Sequence, residues 1–145
     1  MKKFFILLVF MLTISGISES HSIAVNKYNP MGTIIEAKCI CGFTNEMFLG
    51  GGKLSFQTYA AFPYYCKSCK SLFVENFLAE NKSCKKCSST DILPYYDDTL
   101  RSHASNKEIF GWNVDKFTLK LTDDKYLCPK CGEYSLIFTP VGYWD

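Results

Sequence analysis

Apolar and polar residues alternate over short segments along most of the chain beyond residue 30, and turn-forming residues separate these segments. Residues 33–38 are rich in β-branched side chains, and residues 117–121 alternate regularly between apolar and polar positions. Residues 126–131 and 134–139 have the pattern of two hairpin arms. Alternation with a period of two is typical of a strand that buries one face. The sequence therefore predicts a small, mainly β fold built from hairpins, without a long amphipathic helix.

Three central segments are less regular. Residues 54–65 are rich in aromatic side chains, and Pro63 favours an edge strand or a bend there because proline lacks the N–H that a central strand donates. Residues 72–78 fit either a strand or one turn of helix. Residues 97–111 are polar and irregular, which is typical of a surface loop.

The first 20 residues have the features of a secretory signal peptide. Lys2 and Lys3 supply a positive start, and residues 4–17 form a nearly continuous apolar run. Small residues then occupy the positions that favour cleavage before His21, and a second such site would leave Val25 first. The sequence therefore predicts a signal peptide at residues 1–20.

An uncleaved membrane anchor is the alternative to a signal peptide. The apolar run would form a helix of about 21 Å at ~1.5 Å per residue, shorter than the ~30 Å hydrocarbon core. Cleavage is therefore favoured, and no stable membrane anchor is expected after it. In either case the two lysines favour an orientation that places the rest of the chain across the membrane. We expect residues 21–145 to form a single extracytoplasmic domain, periplasmic or secreted.

Composition narrows the class of protein. Of 145 residues, 48% are apolar and 21% are charged, as in ordinary folded domains and unlike disordered chains. The formal net charge is +2, and without Lys2, Lys3 and Glu19 the remaining 14 basic and 13 acidic residues nearly balance. A surface that binds nucleic acid normally needs a clear excess of positive charge. We therefore expect a protein partner rather than a nucleic acid.

Eight cysteines are the main chemical feature of the chain. They fall into four close pairs, which are Cys39/Cys41, Cys66/Cys69, Cys84/Cys87 and Cys128/Cys131. Two thiolates separated by two residues can face one cation from a tight turn, and a second such turn completes a tetrahedron of sulfur around zinc. The two middle pairs are separated by 14 residues, close to the spacing of zinc ribbons. All eight cysteines are thus predicted metal ligands, enough for two zinc ions.

The last pair carries a motif that resembles a known family. It lies in Cys128-Pro129-Lys130-Cys131-Gly132, where proline presets the turn and glycine accepts a left-handed backbone. This segment resembles the zinc knuckles of rubredoxins and zinc ribbons. The resemblance implies a central ribbon at about 62–96, nested in an outer ribbon formed by residues 33–49 and 117–140. The second and third cysteine pairs would then share one zinc ion, and the first and fourth pairs the other.

The resemblance is confined to the cysteine pairs, and parts of the sequence depart from it. The first pair encloses one residue instead of two. Lys70 and Ser88 follow the second and third pairs, whereas glycine follows the other two. Pairing in chain order, first with second and third with fourth, is the alternative grouping, because loop entropy distinguishes the two arrangements only weakly.

Several chemistries compete for these thiols. A closed four-thiolate zinc site has no open position for water or substrate, which is typical of a structural role. The same ligands suit iron, and an oxidising compartment favours disulfides. However, stapling disulfides usually join distant cysteines, and the βαβ pattern of thiol–disulfide enzymes is missing from the sequence. We therefore predict an exported, zinc-binding structural or interaction protein, with thiol–disulfide redox chemistry or metal handling as the alternative function.

The remaining candidate residues point away from catalysis. The chain contains only two histidines, His21 and His103, and no nucleophile motif or pattern of carboxylates surrounds His103. We therefore expect no enzymatic activity. Two similar aromatic stretches, residues 62–65 and 93–96, flank the central ribbon and are expected to pair as neighbouring strands. Core packing is the favoured role for their tyrosines, and an exposed face for a partner is the alternative.

Overall fold

Nine β-strands, one short helix and one 3-10 turn form the regular structure of the described residues, which are 31–55, 57–114 and 116–145 of this computed structural model. The strands are β1 (Gly32–Cys39), β2 (Thr44–Leu49), β3 (Ala61–Cys66), β4 (Ser71–Asn76), β5 (Ile92–Pro94), β6 (Glu108–Val114), β7 (Phe117–Thr122), β8 (Tyr126–Leu127) and β9 (Tyr134–Trp144). Helix α1 spans Gly52–Ser55, and the 3-10 turn spans Asp98–Leu100. The predicted signal peptide and His21 lie outside the described residues. The mainly β fold class is confirmed.

The strands form three antiparallel sheets. The largest has the order β2-β1-β9-β8, the second has the order β4-β3-β5, and β6 pairs with β7 in the third. In the largest sheet the last strand of the chain pairs with the first, with Cys39 opposite Leu136 and Ala37 opposite Phe138. This pairing brings the β1–β2 turn close to the β8–β9 turn, although they lie far apart in the sequence.

Tyr95 joins two of the sheets through the core. Its ring lies edge-on to Phe138 and Tyr126, with ring centres 5.2 Å and 6.0 Å away, and it is fully buried. Its hydroxyl donates a hydrogen bond of 3.0 Å to the carbonyl of Leu127 in β8. Because Tyr95 directly follows β5, it anchors the middle sheet on the largest one.

Several predicted strands are confirmed. Residues 33–38 lie in β1, residues 117–121 lie in β7, and the last predicted hairpin corresponds to β8 and β9. The two aromatic stretches pair as expected, with Tyr65 opposite Leu93 in β3 and β5. Of the two structures that fitted residues 72–78, the strand is the one adopted, as β4.

The prediction that Pro63 marks an edge strand is wrong, because β3 is the central strand of its sheet and is buried along its whole length. The pairing of β3 with β5 covers only Tyr64 to Cys66. The carbonyl of Pro63 accepts a hydrogen bond of 3.0 Å from the Tyr95 N–H. The N–H and C=O of a strand residue point to the same side, so the missing donor of Pro63 faces this end of β5 and not the β4 ladder.

The prediction of a surface loop at residues 97–111 is only partly right, because β6 begins at Glu108. Phe110, Trp112 and Val114 are buried while the residues between them are exposed, which is the alternation of a strand with one buried face. The irregular part that precedes β6 folds around a buried carboxylate instead of lying free in solvent.

That carboxylate belongs to Asp124, which is 1% exposed. It accepts hydrogen bonds from the backbone N–H groups of His103, Ala104 and Lys125 at 2.9, 3.1 and 2.7 Å, and from the Ser102 hydroxyl. Burial opposes ionisation, but the bond from Ser102 and the backbone N–H bonds outweigh it and lower the pKa of Asp124. This polar segment thus supplies hydrogen-bond donors to the buried Asp124 carboxylate.

No helix within the described ranges is long and apolar enough to cross a membrane.

Candidate metal centres

Three of the four cysteine pairs lie where a strand ends in a tight turn. Cys39 ends β1, Cys66 ends β3 and Cys128 directly follows β8, so each of these thiols is held at the end of a paired strand. The remaining pair, Cys84 and Cys87, lies in the irregular segment between β4 and β5. Strand pairing therefore positions three of the four turns.

The four turns share one backbone feature. The residue after the second cysteine has a positive φ in every case, with values of 83° at Gly42, 50° at Lys70, 59° at Ser88 and 75° at Gly132. The left-handed region favours glycine, yet Lys70 and Ser88 adopt it as well. The absence of glycine after these two pairs therefore does not prevent the left-handed conformation at that position.

Backbone hydrogen bonds close three of these turns in a similar way. The N–H of Gly132 donates to the Cys128 carbonyl at 2.9 Å, and the N–H of Ser88 donates to the Cys84 carbonyl at 2.8 Å. In the shorter first turn, the Gly42 N–H donates to the Cys39 carbonyl at 3.0 Å. The one-residue spacing of that pair is thus accommodated by a turn that is one residue tighter.

The eight thiols gather into two clusters. One cluster consists of Cys39, Cys41, Cys128 and Cys131, and the other consists of Cys66, Cys69, Cys84 and Cys87. Within each cluster all sulfur atoms lie within 4.8 Å of one another. The first pair thus meets the fourth and the second meets the third, which is the nested grouping; β1–β9 pairing accounts for the outer cluster.

The sulfur–sulfur distances suit a shared cation. They are 3.7 Å for Cys39–Cys131 and for Cys41–Cys128 in the outer cluster. In the central cluster they are 3.6 Å for Cys66–Cys87 and 3.5 Å for Cys69–Cys84. A disulfide bond needs about 2.05 Å. A tetrahedron of sulfur atoms at ~2.3 Å from zinc has an edge of about 3.8 Å, so the clusters are compatible with zinc-ribbon-like sites.

A serine hydroxyl lies against each cluster. Ser135 Oγ is 3.0 Å from Cys39 Sγ, and Ser71 Oγ is 3.0 Å from Cys69 Sγ. In the central cluster, the N–H of Lys86 also donates to Cys84 Sγ at 3.4 Å. Neither serine was identified from the sequence; the available signal is a serine close behind the second cysteine of a pair.

These donors favour one thiolate in each cluster. Burial opposes ionisation of Cys39, but hydrogen bonds from the Cys41 backbone and from Ser135 outweigh it and lower the pKa of Cys39 to about 6. Burial likewise opposes ionisation of Cys84, where bonds from Ser71 and the Lys86 backbone lower the pKa to about 6. Each cluster thus holds one thiol that ionises readily.

Other thiols in the same clusters resist ionisation. Burial and hydrogen bonding with Cys39 and Cys131 raise the pKa of Cys128 to about 12. A backbone bond from Ser89 lowers the pKa of Cys87, but contacts with its neighbouring thiols and burial outweigh that bond and raise it to about 12. Four negative charges this close repel one another strongly, and a dication at the centre would offset half of that charge.

The cysteines of each cluster differ in their exposure to solvent. Cys87 and Cys131, the last cysteine of each cluster, are exposed, whereas Cys39, Cys66, Cys84 and Cys128 are buried. Each cluster therefore has a buried side that faces the core and one edge that faces solvent.

The other candidate residues that the structure describes take no part in a comparable site. Among the described residues, the two cysteine clusters are the only groups of three or more potential ligands that come close together. The exposed His103 has a φ of 58°, and its Nε2 lies 3.0 Å from the Asp98 carbonyl oxygen. Tyr64 and Tyr95 of the aromatic stretches are buried in the core.

Comparison of the chain with protein-family models, with curated proteins and with solved structures finds no match. The residues themselves are therefore the evidence for function.

Proposed function

We propose that each cysteine cluster binds one zinc ion and that both ions have a structural role. The observation that carries this proposal is the sulfur spacing of 3.5–3.7 Å in two separate groups of four thiols. Four thiolates complete the tetrahedral coordination of zinc, so the ion has no open position for a substrate. Zinc suits this set because it is redox-inactive and accepts the geometry without strain.

The two ions would stabilise different parts of the fold. The outer ion would link the β1–β2 turn to the β8–β9 turn, reinforcing the largest sheet at one end. The central ion would tie the β3–β4 turn to the segment between β4 and β5, which has little regular structure. Structural zinc contributes about 10–16 kcal/mol of apparent binding free energy to folding. Zinc binding would therefore stabilise this segment, which has few strand hydrogen bonds of its own.

The proposal includes an extracytoplasmic location and a non-catalytic role. Lys2 and Lys3 ahead of the apolar run at residues 4–17 support export. The closed ligand sets support a role in holding a surface for a protein partner. Determination of the N-terminal residue of protein recovered from the exported fraction tests the location, with His21 expected as the first residue.

Native mass spectrometry tests the metal. We expect two zinc ions per chain and eight reduced thiols, and Cys69→Ser should lose the central ion because three thiolates and a hydroxyl bind zinc far more weakly. Ser68→Ala is the matched control, because Ser68 lies in the same turn and bonds to Ser89 instead of a thiol. A metal-free folded protein whose mass is lower by two hydrogens per cysteine pair would contradict the proposal.

Metal handling or thiol–disulfide exchange is the second candidate function. The exposure of Cys87 and Cys131 favours it, because an accessible thiol at the edge of a cluster can reach an acceptor or an oxidant. Removal of zinc by a chelator separates the two candidates. A structural role predicts unfolding with metal loss, whereas a handling role predicts a retained fold and reversible reloading.

A further inference from the structure

A cleft of about 330 Å³ lies where the four cysteine-bearing turns come together. Each turn contributes to its wall, with Phe43 after the first, Lys70 after the second, Lys86 within the third and Lys130 within the fourth. The lining residues include three lysines and no aspartate or glutamate. In a chain whose charges nearly balance, this cleft concentrates positive charge at one place.

The lysines of the cleft differ from their neighbours in the same turns. Lys67 pairs with Asp91 at 2.7 Å, and Lys85 pairs with Glu75 at 2.6 Å. Within the part of the chain that the structure describes, Lys70 and Lys86 form no such ion pair. Two positive charges of the cleft therefore lack a carboxylate partner within the described residues.

Lys130 is held in place and still has donors to offer. Its Nζ donates a hydrogen bond of 3.1 Å to the Cys41 carbonyl, which links the fourth turn to the first. An ammonium group has three N–H donors, so two remain for a ligand. This contact reduces the entropy that Lys130 loses when an anion binds.

The rest of the wall is partly apolar. Phe43, Leu72 and Pro129 line the cleft beside the lysines. The cleft volume is at the lower end of the roughly 300–1,000 Å³ that small-molecule sites occupy. These features favour a small ligand that carries both an anionic group and an apolar group.

We propose that the cleft binds a phosphate monoester. The phosphate lies against the ammonium groups of Lys70, Lys86 and Lys130, and an apolar or aromatic ester group lies against Phe43 and Leu72. Lysine binds phosphate as a compact point charge, and a dianion matches several ammonium groups better than a monoanion does. This inference rests on the proposed function, because the metal-bound turns hold the lysines together.

The competing explanation is that the lysines only balance the charge of the metal sites. A zinc ion with four thiolates has a net charge of −2, and nearby lysines would stabilise it. That explanation predicts that loss of a lysine weakens zinc binding and that the cleft has no ligand. The two explanations therefore differ in the zinc affinity of the lysine variants and in the affinity of the cleft for a phosphate ester.

Isothermal titration calorimetry of the purified, zinc-loaded protein in phosphate-free buffer tests the proposal, with phenyl phosphate and inorganic phosphate as probes. We expect saturable binding of one phenyl phosphate per chain, several-fold tighter than inorganic phosphate because the ring buries apolar area. Lys70→Gln and Lys86→Gln should each weaken binding by about tenfold, the loss of one charge-assisted contact. Lys67→Gln, from the same turn as Lys70 but outside the cleft, should leave affinity within about twofold.

Zinc content measured on every sample separates the possible failures. Two zinc ions per chain without phenyl phosphate binding would overturn the cleft proposal and leave the structural role of zinc intact. Equal weakening by Lys67→Gln and Lys86→Gln would also overturn it, because binding would then follow net charge. Loss of zinc in the Lys70 or Lys86 variants would support charge balance instead. If a folded, zinc-free protein bound phenyl phosphate, the proposed structural role of zinc would be wrong. The proposal that the cleft binds a phosphate monoester would still hold.

Discussion

The residue after each cysteine pair shows how backbone strain and metal binding are related. Gly42 and Gly132 adopt positive φ without a steric penalty, whereas Lys70 and Ser88 adopt it at a cost. A left-handed conformation costs a non-glycine residue about 1–2 kcal/mol. The central cluster therefore tolerates strain in both of its turns that the outer cluster avoids.

Two substitutions measure this strain. Ser88→Gly should stabilise the zinc-loaded protein by about 0.5–1 kcal/mol, after allowance for the greater freedom of glycine in the unfolded chain. Gly132→Ala should destabilise it by about 1–2 kcal/mol. A Cβ at Gly132 meets no atom within 4 Å, so this change reports the backbone alone. Urea unfolding of both variants gives the free energies; effects of the same sign would contradict the strain argument.

At the scale of elements, a buried carboxylate organises the loop that precedes β6. Asp124 receives backbone N–H bonds from both sides, and Arg101 Nε lies 3.4 Å from its Oδ2. The side chain of Arg101 is only 9% exposed and also bonds to the Ser105 carbonyl at 3.2 Å. Removal of the carboxylate charge would leave this buried guanidinium with the exposed Asp98, 3.7 Å from Arg101 Nη1, as its remaining ion-pair partner among the described residues.

The stability that Asp124 contributes should depend on pH in a defined direction. Its pKa is lower in the folded protein than in the unfolded chain, where it is about 3.9. The contribution is therefore complete above the unfolded pKa and is lost as pH falls through the folded pKa.

Asp124→Asn should destabilise the protein by about 3 kcal/mol at pH 7, since it breaks a buried ion pair. The difference between the two proteins should stay constant above about pH 5 and shrink below about pH 4. Urea unfolding across this range, with zinc content checked at each pH, measures the difference. Asp123→Asn is a neighbouring control because Asp123 is exposed and its carboxylate accepts a hydrogen bond from the Ser105 hydroxyl, away from Arg101. A pH-independent difference would contradict the assignment.

At the scale of the whole molecule, Tyr95 links the sheets that carry the two clusters. It is fully buried against Tyr126 and Phe138, and burial and the nearby Tyr65 and Cys128 groups raise its pKa well above the usual range of tyrosine. The hydroxyl is therefore neutral and acts as a hydrogen-bond donor to Leu127.

Two substitutions at Tyr95 separate its contributions. Tyr95→Phe removes only the hydroxyl and should cost about 1–2 kcal/mol, because the Leu127 carbonyl loses its donor in a dry site. Tyr95→Ala should cost about 3–5 kcal/mol through the cavity it leaves. Thermal unfolding with both zinc ions bound gives the two values. Equal losses would mean that packing at Tyr95 contributes little.

Features that depend only on neighbouring residues could be predicted from the sequence. Alternation at residues 33–38 and 117–121 predicted strands, and Cys128-Pro129-Lys130-Cys131-Gly132 predicted a knuckle turn, because strand periodicity and turn chemistry are local properties. The cysteine content likewise predicted two four-thiol groups. However, no local sequence pattern distinguished the nested grouping of the cysteine pairs from the chain-order grouping.

Long-range strand pairing determines which cysteine-bearing turns meet. Pairing of β1 with β9 brings Cys39 within 3.7 Å of Cys131, a partner 92 residues away, and no short segment encodes that choice. The central position of β3 despite Pro63, the buried Asp124 and the lysine-lined cleft arise from the same long-range packing. These features depend on which surfaces come together, whereas sequence periodicity reports only which side of each strand is apolar.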